Sequence, residues 1–154
     1  MNVQRRGFLS AIAWSSIGAW VAHKAHGSEL LRRLWPQQAF AADHLQTALT
    51  QLYGPHKPEN SEQIRLEIPE LAEDGAVVPV TVSTTLPGVE SIALLAEKNP
   101  TPLLAEFILT EGLEPFVSTH VKLAASCLVL AVVRAQGQSY STQRMVKVMV
   151  GGCG

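Results

Sequence analysis

The sequence predicts a mainly β protein: an antiparallel sandwich of about seven short strands, with one short helix before them and a flexible C-terminal arm. From residue 63 onward, apolar and polar residues alternate in short runs, and turn signals such as Asp74-Gly75 and Gln136-Gly137 separate the runs. The one stretch with helical spacing precedes these runs. At 154 residues and 47% hydrophobic composition, the chain is long enough for one domain with its own core.

The first segment has the pattern of an export signal. A basic head with Arg5 and Arg6 precedes an apolar stretch from Phe8 to Ala22, which serines and a glycine interrupt. A membrane span needs about 20 strongly apolar residues, and this stretch is shorter and less apolar. We interpret residues 1–27 as a leader that is removed on export. A retained N-terminal anchor is the alternative.

The run Arg5-Arg6-Gly7-Phe8-Leu9 resembles the twin-arginine motif, whose transport route carries folded proteins across the bacterial inner membrane. Two cut sites fit the small-residue rule. Ala25-His26-Gly27 lies at the usual distance from the apolar stretch, whereas Ala39-Phe40-Ala41 has the better chemistry but lies farther along, so the leader would extend to 27 or to 41. Either cut predicts a periplasmic protein without stable membrane association.

The chain beyond the leader is acidic. The first 27 residues hold three basic residues and no acidic ones, so residues 28–154 carry 9 basic and 13 acidic residues, a net charge of -4. This charge argues against a nucleic acid as the partner.

One helix is predicted between the leader and the strands. Apolar residues recur at helical spacing from Phe40 to Leu52, and the pattern stops at Tyr53-Gly54-Pro55. Asp43 followed by Gln46 resembles a capping box. The spacing predicts a helix of about three turns.

The strand pattern predicts an immunoglobulin-like sandwich across residues 42–150. The predicted strands are Ile64–Ile68, Val78–Ser83, a strand through Ile92 and Leu94, Leu104–Leu109, Phe116–Leu123, Cys127–Arg134 and Thr142–Val150. Pro79 lies inside a strand pattern, which predicts an edge position or a bulge because proline cannot donate to a sheet.

The sequence offers no active site of its own, so we do not expect an enzyme. The five histidines have no metal-ligand spacing, and no haem, phosphate-loop, nucleophile-elbow or dinucleotide motif is present. Glu111 and Glu114 flank a turn, where solvated charges are ordinary. We therefore expect neither a metal nor a cofactor.

The two cysteines lie in different settings. Cys127 belongs to a nearly continuous apolar strand, so we expect its thiol in the core. Cys153 lies between Gly151-Gly152 and Gly154, beyond the last alternating strand, and we expect it to be exposed and mobile. A disulfide between the two is an alternative, although it would bring the tail onto a strand with two buried faces.

The glycines around Cys153 favour a carrier arm, residues 151–154. Glycine lacks a Cβ, so a thiol on this backbone could enter a channel too narrow for an ordinary loop. Three extended residues reach about 10 Å. The nearest base, Lys147, is several residues away, so a partner enzyme would have to activate the thiol.

Four segments of the sequence carry a family resemblance. They are AVVPVTV (76–82), IALLAEKNP (92–100), VST (117–119) and VKVMVGGCG (146–154). These segments resemble SoxY, the family of sulfur-carrier subunits of the periplasmic thiosulfate-oxidising system, in which a twin-arginine leader is also usual. The likeness covers residues 42–154, and the Gly-Gly-Cys-Gly ending is its most specific part.

The resemblance implies a covalent carrier that is not itself an enzyme and holds no cofactor besides its sulfur adduct. Cys153 would be the attachment point, and Gly151, Gly152 and Gly154 would form the arm. The implied partners are a second immunoglobulin-like subunit, SoxZ, a SoxAX cytochrome that joins thiosulfate to the cysteine oxidatively, and a SoxB hydrolase that releases sulfate. In some organisms SoxCD oxidises the remaining sulfane sulfur.

Two features depart from the family pattern. The family tail usually ends Gly-Gly-Cys-Gly-Gly, one glycine more than here, and Cys127 is an additional cysteine. The second departure keeps the internal disulfide open as an alternative.

Two other classes of protein compete with this interpretation. A ubiquitin-like sulfur carrier also ends in Gly-Gly, but it uses a terminal carboxylate in the cytoplasm, which the leader and the strand pattern oppose. A non-catalytic exported assembly module would use Cys153 for a structural or intermolecular disulfide.

The strands also suggest a partner surface. Consecutive apolar residues at Leu94-Leu95 and Leu103-Leu104 indicate more apolar area than one sandwich core covers. The alternative is that both faces are core.

Overall fold

A computed structural model describes residues 36–110 and 112–149 of the chain. In this described part of the chain two helices come first, α1 (Gln37–Phe40) and α2 (Leu45–Tyr53). The predicted helix is confirmed as α2, but the expectation of a single helix is wrong. Four residues are too few to display helical periodicity, so α1 could not be recognised from spacing.

The capping box is also wrong. The residue that caps α2 is His44, which makes no side-chain capping hydrogen bond, and Leu45 is the first helical residue. Asp43 therefore lies outside the helix, and Gln46 is its second residue rather than its third. Gly54 ends the helix with a φ of 80°, a conformation that glycine adopts without steric cost.

Within the described residues, nine strands follow the helices. They are β1 (Glu59–Asn60), β2 (Ile64–Glu67), β3 (Leu71–Ala72), β4 (Val78–Thr84), β5 (Val89–Ala96), β6 (Leu103–Ile108), β7 (Phe116–Val121), β8 (Cys127–Ala135) and β9 (Gln138–Val148). The seven predicted strands correspond to β2 and β4 to β9. The prediction missed β1 and β3, two-residue strands whose pairing cannot be seen in local sequence.

The strands form two sheets. The larger has the order β1-β9-β8-β5-β6, with β3 also pairing to β9, and the smaller has the order β2-β4-β7. The mainly β sandwich is therefore confirmed. The larger sheet has six strands and the smaller has three, whereas a constant immunoglobulin domain has four strands in one sheet and three in the other.

A valine-rich core fills the space between the sheets. Val78, Val80 and Val82 of β4 face Val129 and Val133 of β8, and none of the five is more than 1% exposed. Full burial of one such side chain contributes about 1.5–3 kcal/mol, and β-branched residues suit strands because their side chains are already restricted.

A second apolar cluster lies on the outer face of the larger sheet, beneath the helices. Ala39 and Leu49 from the helices pack with Leu95, Leu103 and Leu130 from the strands. This second cluster explains why β5 and β8 read as continuous apolar runs, since both of their faces are covered.

The consecutive leucines therefore do not mark a partner surface. Leu94 lies in the core between the sheets, while Leu95 and Leu103 lie under the helices. Leu104 is half-buried against the first core. The chain's own helices cover the area that the sequence assigned to a partner.

A tight turn connects β8 to β9. Gln136 and Gly137 form a two-residue hairpin loop in which both residues have positive φ, 51° and 74°. Such a loop matches the twist of the strands that it joins. The predicted turn at this position is confirmed.

Pro79 occupies a locally unpaired side of β4. The strand is central in its sheet, but β2 pairs only with Thr81–Thr84, so at Pro79 only β7 is a neighbour, through His120. The expected edge position is confirmed in this local sense. Within 36–110 and 112–149, no helix has the length and apolar character that crossing a membrane requires.

Candidate functional site: the root of the tail

The residues that the sequence assigns to function lie outside the described residues. This applies to Cys153, to the glycines Gly151, Gly152 and Gly154, and to Arg5 and Arg6 of the leader. The structure describes the strand that leads to the cysteine, through Val148 and Met149. We call residues 147–149 the arm root.

The arm root is hydrogen-bonded on one side to the segment around β3. The amide of Lys147 donates to the carbonyl of Glu70 at 2.8 Å, and the amide of Met149 donates to the carbonyl of Ala72 at 2.9 Å. These bonds belong to a short parallel ladder in which Leu71 is opposite Lys147. The two-residue strand β3 thus fixes the end of β9.

Ser126 holds the arm root on the opposite side. Its Oγ accepts a hydrogen bond from the amide of Val148 at 2.9 Å and donates to the carbonyl of the same residue at 3.4 Å. A hydroxyl can do both because it carries one donor and two acceptor lone pairs. Both edges of the strand end are therefore bonded, by Ala72 and Ser126.

A close backbone approach at Gly75 completes this end of the sandwich. The amide of Leu123 donates to the carbonyl of Gly75 at 2.7 Å. A Cβ at Gly75 would lie 2.6 Å from the carbonyl oxygen of Leu123 and 2.7 Å from Cγ1 of Val148. Only glycine lets the two loops and the arm root approach this closely.

Asn99, from the AEKNP segment, ties two loops together at the same end. Its Nδ2 donates to the carbonyl of Lys122 at 2.7 Å, and its Oδ1 accepts from the amide of Ala124 at 2.8 Å. The β5–β6 turn is thereby fixed to the β7–β8 loop, which carries Ser126. Asn99 thus acts on the arm root indirectly, by holding the loop that carries Ser126.

Cys127 lies in the core as predicted. It is fully buried between the sheets, opposite Val146 in the β8–β9 ladder, and its thiol is free. A reactive thiol must be accessible to its reaction partner, and the Cys127 thiol is fully buried. The predicted partner of the alternative disulfide, Cys153, is outside the described residues.

A polar cluster that the sequence did not predict lies where α2 meets the larger sheet. The Arg134 guanidinium donates to the carbonyl of Leu52 and lies 5.1 Å from the centre of the Tyr53 ring. Burial raises the pKa of the Tyr53 hydroxyl well above its ordinary value, and the nearby Glu106 carboxylate adds to this rise. Burial also raises the pKa of Glu106, and Arg134 partly offsets it.

These contacts hold the end of α2 against the larger sheet. The only signal in the sequence was the single charge of Arg134 at the end of an apolar run, because its partners come from distant segments. Across the part of the chain that the structure describes, no group of three or more histidine, cysteine or acidic residues could hold a metal ion.

Comparison with known proteins identifies the family. The sequence model of the family described as sulfur oxidation protein SoxY matches residues 49–153. The solved structure of the sulfur carrier protein SoxY from Chlorobium limicola f thiosulfatophilum is 36% identical, with a TM-score of 0.63. That match covers 74% of this chain and 99% of the other.

A more distant neighbour shares only the fold. The superoxide reductase (neelaredoxin) from Ignicoccus hospitalis is 19% identical, with a TM-score of 0.50, over 57% of this chain and 81% of its own. No curated protein matches the chain. The family match spans well over half of the sequence, and the chain belongs to the SoxY family of sulfur oxidation proteins.

Proposed function

We propose that this chain is a periplasmic carrier that holds thiosulfate-derived sulfur covalently on Cys153 and presents it to partner enzymes. The observation that carries the proposal is the family match, which runs through residue 153 and so includes the glycine-flanked cysteine. The 36% identical protein from Chlorobium is described as a sulfur carrier. The chain would act as a substrate carrier rather than as an enzyme.

Loading joins two sulfur atoms in an oxidation. The Cys153 thiolate and the outer sulfur of thiosulfate form an S–S bond, and two electrons leave: RS⁻ + S₂O₃²⁻ → RS–S–SO₃⁻ + 2e⁻. A SoxAX-type cytochrome would accept the electrons. Because no described side chain serves to activate the thiol, the enzyme would also have to favour its thiolate form.

Unloading begins with hydrolysis. Water attacks the sulfone sulfur, sulfate leaves, and the sulfane sulfur stays on the carrier: RS–S–SO₃⁻ + H₂O → RS–S⁻ + SO₄²⁻ + 2H⁺. A SoxB-type hydrolase would perform this step, and a SoxCD-type enzyme could oxidise the remaining sulfur. The charge and length of the adduct change at each step while its covalent anchor stays the same.

The structure of the arm root is consistent with a carrier that presents its adduct to several enzymes. Hydrogen bonds on both edges hold Val148 and Met149 in the body of the protein. Gly151 and Gly152 follow after one more residue, Val150, and glycine permits backbone conformations closed to other residues. A fixed origin followed by pliable backbone suits an arm that enters several enzymes in turn, with Gly154 extending the pliable backbone beyond the thiol.

Export and assembly complete the proposal. The Arg5-Arg6 leader would direct the folded chain through the twin-arginine route, with a SoxZ-like subunit bound to it. Such export of a folded complex is compatible with a compact sandwich whose helices and strands form two cores.

Replacement of the attachment thiol tests this function. Cells that carry Cys153→Ser should export a folded protein but fail to form sulfate from thiosulfate. Cys127→Ala is the matched control, since it removes the other thiol and should retain activity. Retained oxidation in Cys153→Ser would refute the carrier role, and a disulfide-linked dimer through Cys153 without any sulfur adduct would favour the exported assembly module instead.

A further inference from the structure

Exposed apolar side chains lie on the arm root and beside it. Leu71, Met145 and Met149 are 54%, 52% and 53% exposed, and they flank Lys147 at the point where the chain leaves β9. We call these four residues the arm-root patch. Large apolar side chains that are exposed side by side mark interaction surfaces more often than isolated ones do.

The strand register places the patch on one face. Leu71 is opposite Lys147 in the β3–β9 ladder, and Met145 is two residues before Lys147 on the same strand. Neighbours with the opposite parity, Ala72 and Val146, are buried in the core between the sheets. Since side chains alternate along a strand, the patch lies on the outer face of the larger sheet.

The chain's own helices do not cover this part of the face. They cover Ala93, Leu95 and Leu130, which lie toward the middle of the sheet. Leu128, directly opposite Met145, is the boundary, because it is only partly buried against the helical cluster. The apolar face therefore continues beyond the helices to the edge where the tail begins.

The short length of chain between the arm-root patch and the Cys153 thiol indicates which kind of partner would cover the patch. Cys153 is four positions after Met149, so their Cα atoms are at most about 14 Å apart. An enzyme that buries the Cys153 adduct in an active site below its own surface must therefore bring that surface against the residues around Met149. The arm-root patch is the part of the described chain that such an enzyme meets first.

Building on the proposed function, we propose that the arm-root patch is the docking surface shared by the enzymes that act on Cys153. The matching surface is an apolar rim around a narrow channel mouth, with a carboxylate placed to face Lys147. Methionine side chains are unbranched and polarisable, which lets one surface fit several partners. Lys147 forms no ion pair within residues 36–110 and 112–149, so its charge is free for a partner.

The test uses the exported protein with any subunit that copurifies with it. The patch variant carries Leu71→Thr, Met145→Thr and Met149→Thr, which keep strand propensity but remove apolar area. The control variant carries Ile108→Thr and Phe116→Thr, which are 66% and 52% exposed at the opposite end of the sandwich. Electron transfer from thiosulfate to the loading cytochrome is measured at increasing carrier concentration.

The patch variant should raise the KM for the carrier by about tenfold or more, with kcat little changed, because the lost contacts act on association. The control should have the KM of the unaltered protein. Lys147→Glu should also raise KM. An equal KM for patch and control variants, or a fall confined to kcat, would overturn the proposal.

Chemical loading separates this inference from the proposed function. Tetrathionate transfers a thiosulfate group to an accessible thiolate without an enzyme: RS⁻ + S₄O₆²⁻ → RS–S–SO₃⁻ + S₂O₃²⁻. Both variants should load equally by this route, which establishes that Cys153 is intact. If the unaltered carrier accepts thiosulfate chemically but never from the cytochrome, the proposed function fails. If the patch variant instead loses a copurifying subunit, the patch is a subunit interface. The docking inference then fails, while the proposed carrier function stands.

Discussion

The hydroxyl of Ser126 forms two hydrogen bonds with the main chain of Val148, accepting from its amide at 2.9 Å and donating to its carbonyl at 3.4 Å. Val148 is the last residue of β9, and Gly151 follows three positions later. One side chain on the β7–β8 loop thus fixes the place from which the proposed arm extends.

Replacement of Ser126 by alanine should loosen the arm root without unfolding the protein. The change removes both bonds to Val148 and should cost about 1 kcal/mol of unfolding free energy. Amide hydrogen exchange of Val148 should become faster. In the control Ser118→Ala, which removes a hydroxyl beside Thr81 on the other sheet, that rate should not change.

Gly75→Ala should destabilise the end of the sandwich that holds the arm root, because the added methyl group would clash with its neighbours. The added methyl group would lie 2.6 Å from the carbonyl oxygen of Leu123 and 2.7 Å from Cγ1 of Val148. Forced shifts of this kind cost about 1–3 kcal/mol. Urea unfolding measures the cost, and an unchanged midpoint would mean that the close approach at Gly75 does not exist in solution.

Cys127 should matter for stability and not for sulfur chemistry. Cys127→Ala removes one buried atom from the core and should cost about 1 kcal/mol. Cys127→Ser places a hydroxyl among apolar side chains and should cost more, about 1–3 kcal/mol. Both variants should still oxidise thiosulfate in cells, and loss of oxidation in a folded Cys127→Ala protein would contradict this assignment.

Glu106 should make stability depend on pH in a specific direction. Burial raises its pKa in the folded protein, so the folded state binds the proton more tightly than the unfolded state. Stability from this group is present below the ordinary glutamate pKa and is lost as the pH rises through the raised value. Relative to Glu106→Gln, the unaltered protein should therefore be less stable at pH 7.5 than at pH 4. Urea midpoints that differ equally at both pH values would contradict the assignment.

The leader should be cut before α1. Ala39 and Ala42 are 1% and 6% exposed in the cluster under the helices, so a cut after Ala41 would remove α1 and uncover part of that cluster. The upstream site at Ala25-His26-Gly27 would keep α1. N-terminal sequencing of the exported protein should find a start near residue 28, and a start at residue 42 would contradict the prediction.

Much of the fold could be predicted because its signals are local. Alternation in β4 and the turn at Gln136-Gly137 depend only on neighbouring residues, and both were confirmed. β3 could not be predicted, since its two residues are a strand only through pairing with Lys147 and Val148. The covering of Leu95 by α1 and α2 likewise depends on contacts between distant segments.

The contacts that hold the arm root in place could not be predicted from the sequence for the same reason. Ser126, Asn99 and Gly75 act through contacts with main-chain atoms of other segments, and their residue types alone signal only loops. Cys153, in contrast, was predicted from its glycine neighbours and from the family resemblance; its role stays a prediction, because the cysteine lies outside the described residues.

The most direct test of the central claim is the mass of the tail peptide from protein isolated from cells grown on thiosulfate. We predict additions of sulfane sulfur or of the thiosulfate group, located on Cys153, reversible by reductant and absent from the Cys127 peptide. A Cys153 peptide found only as bare thiol, or only joined to Cys127, would contradict it.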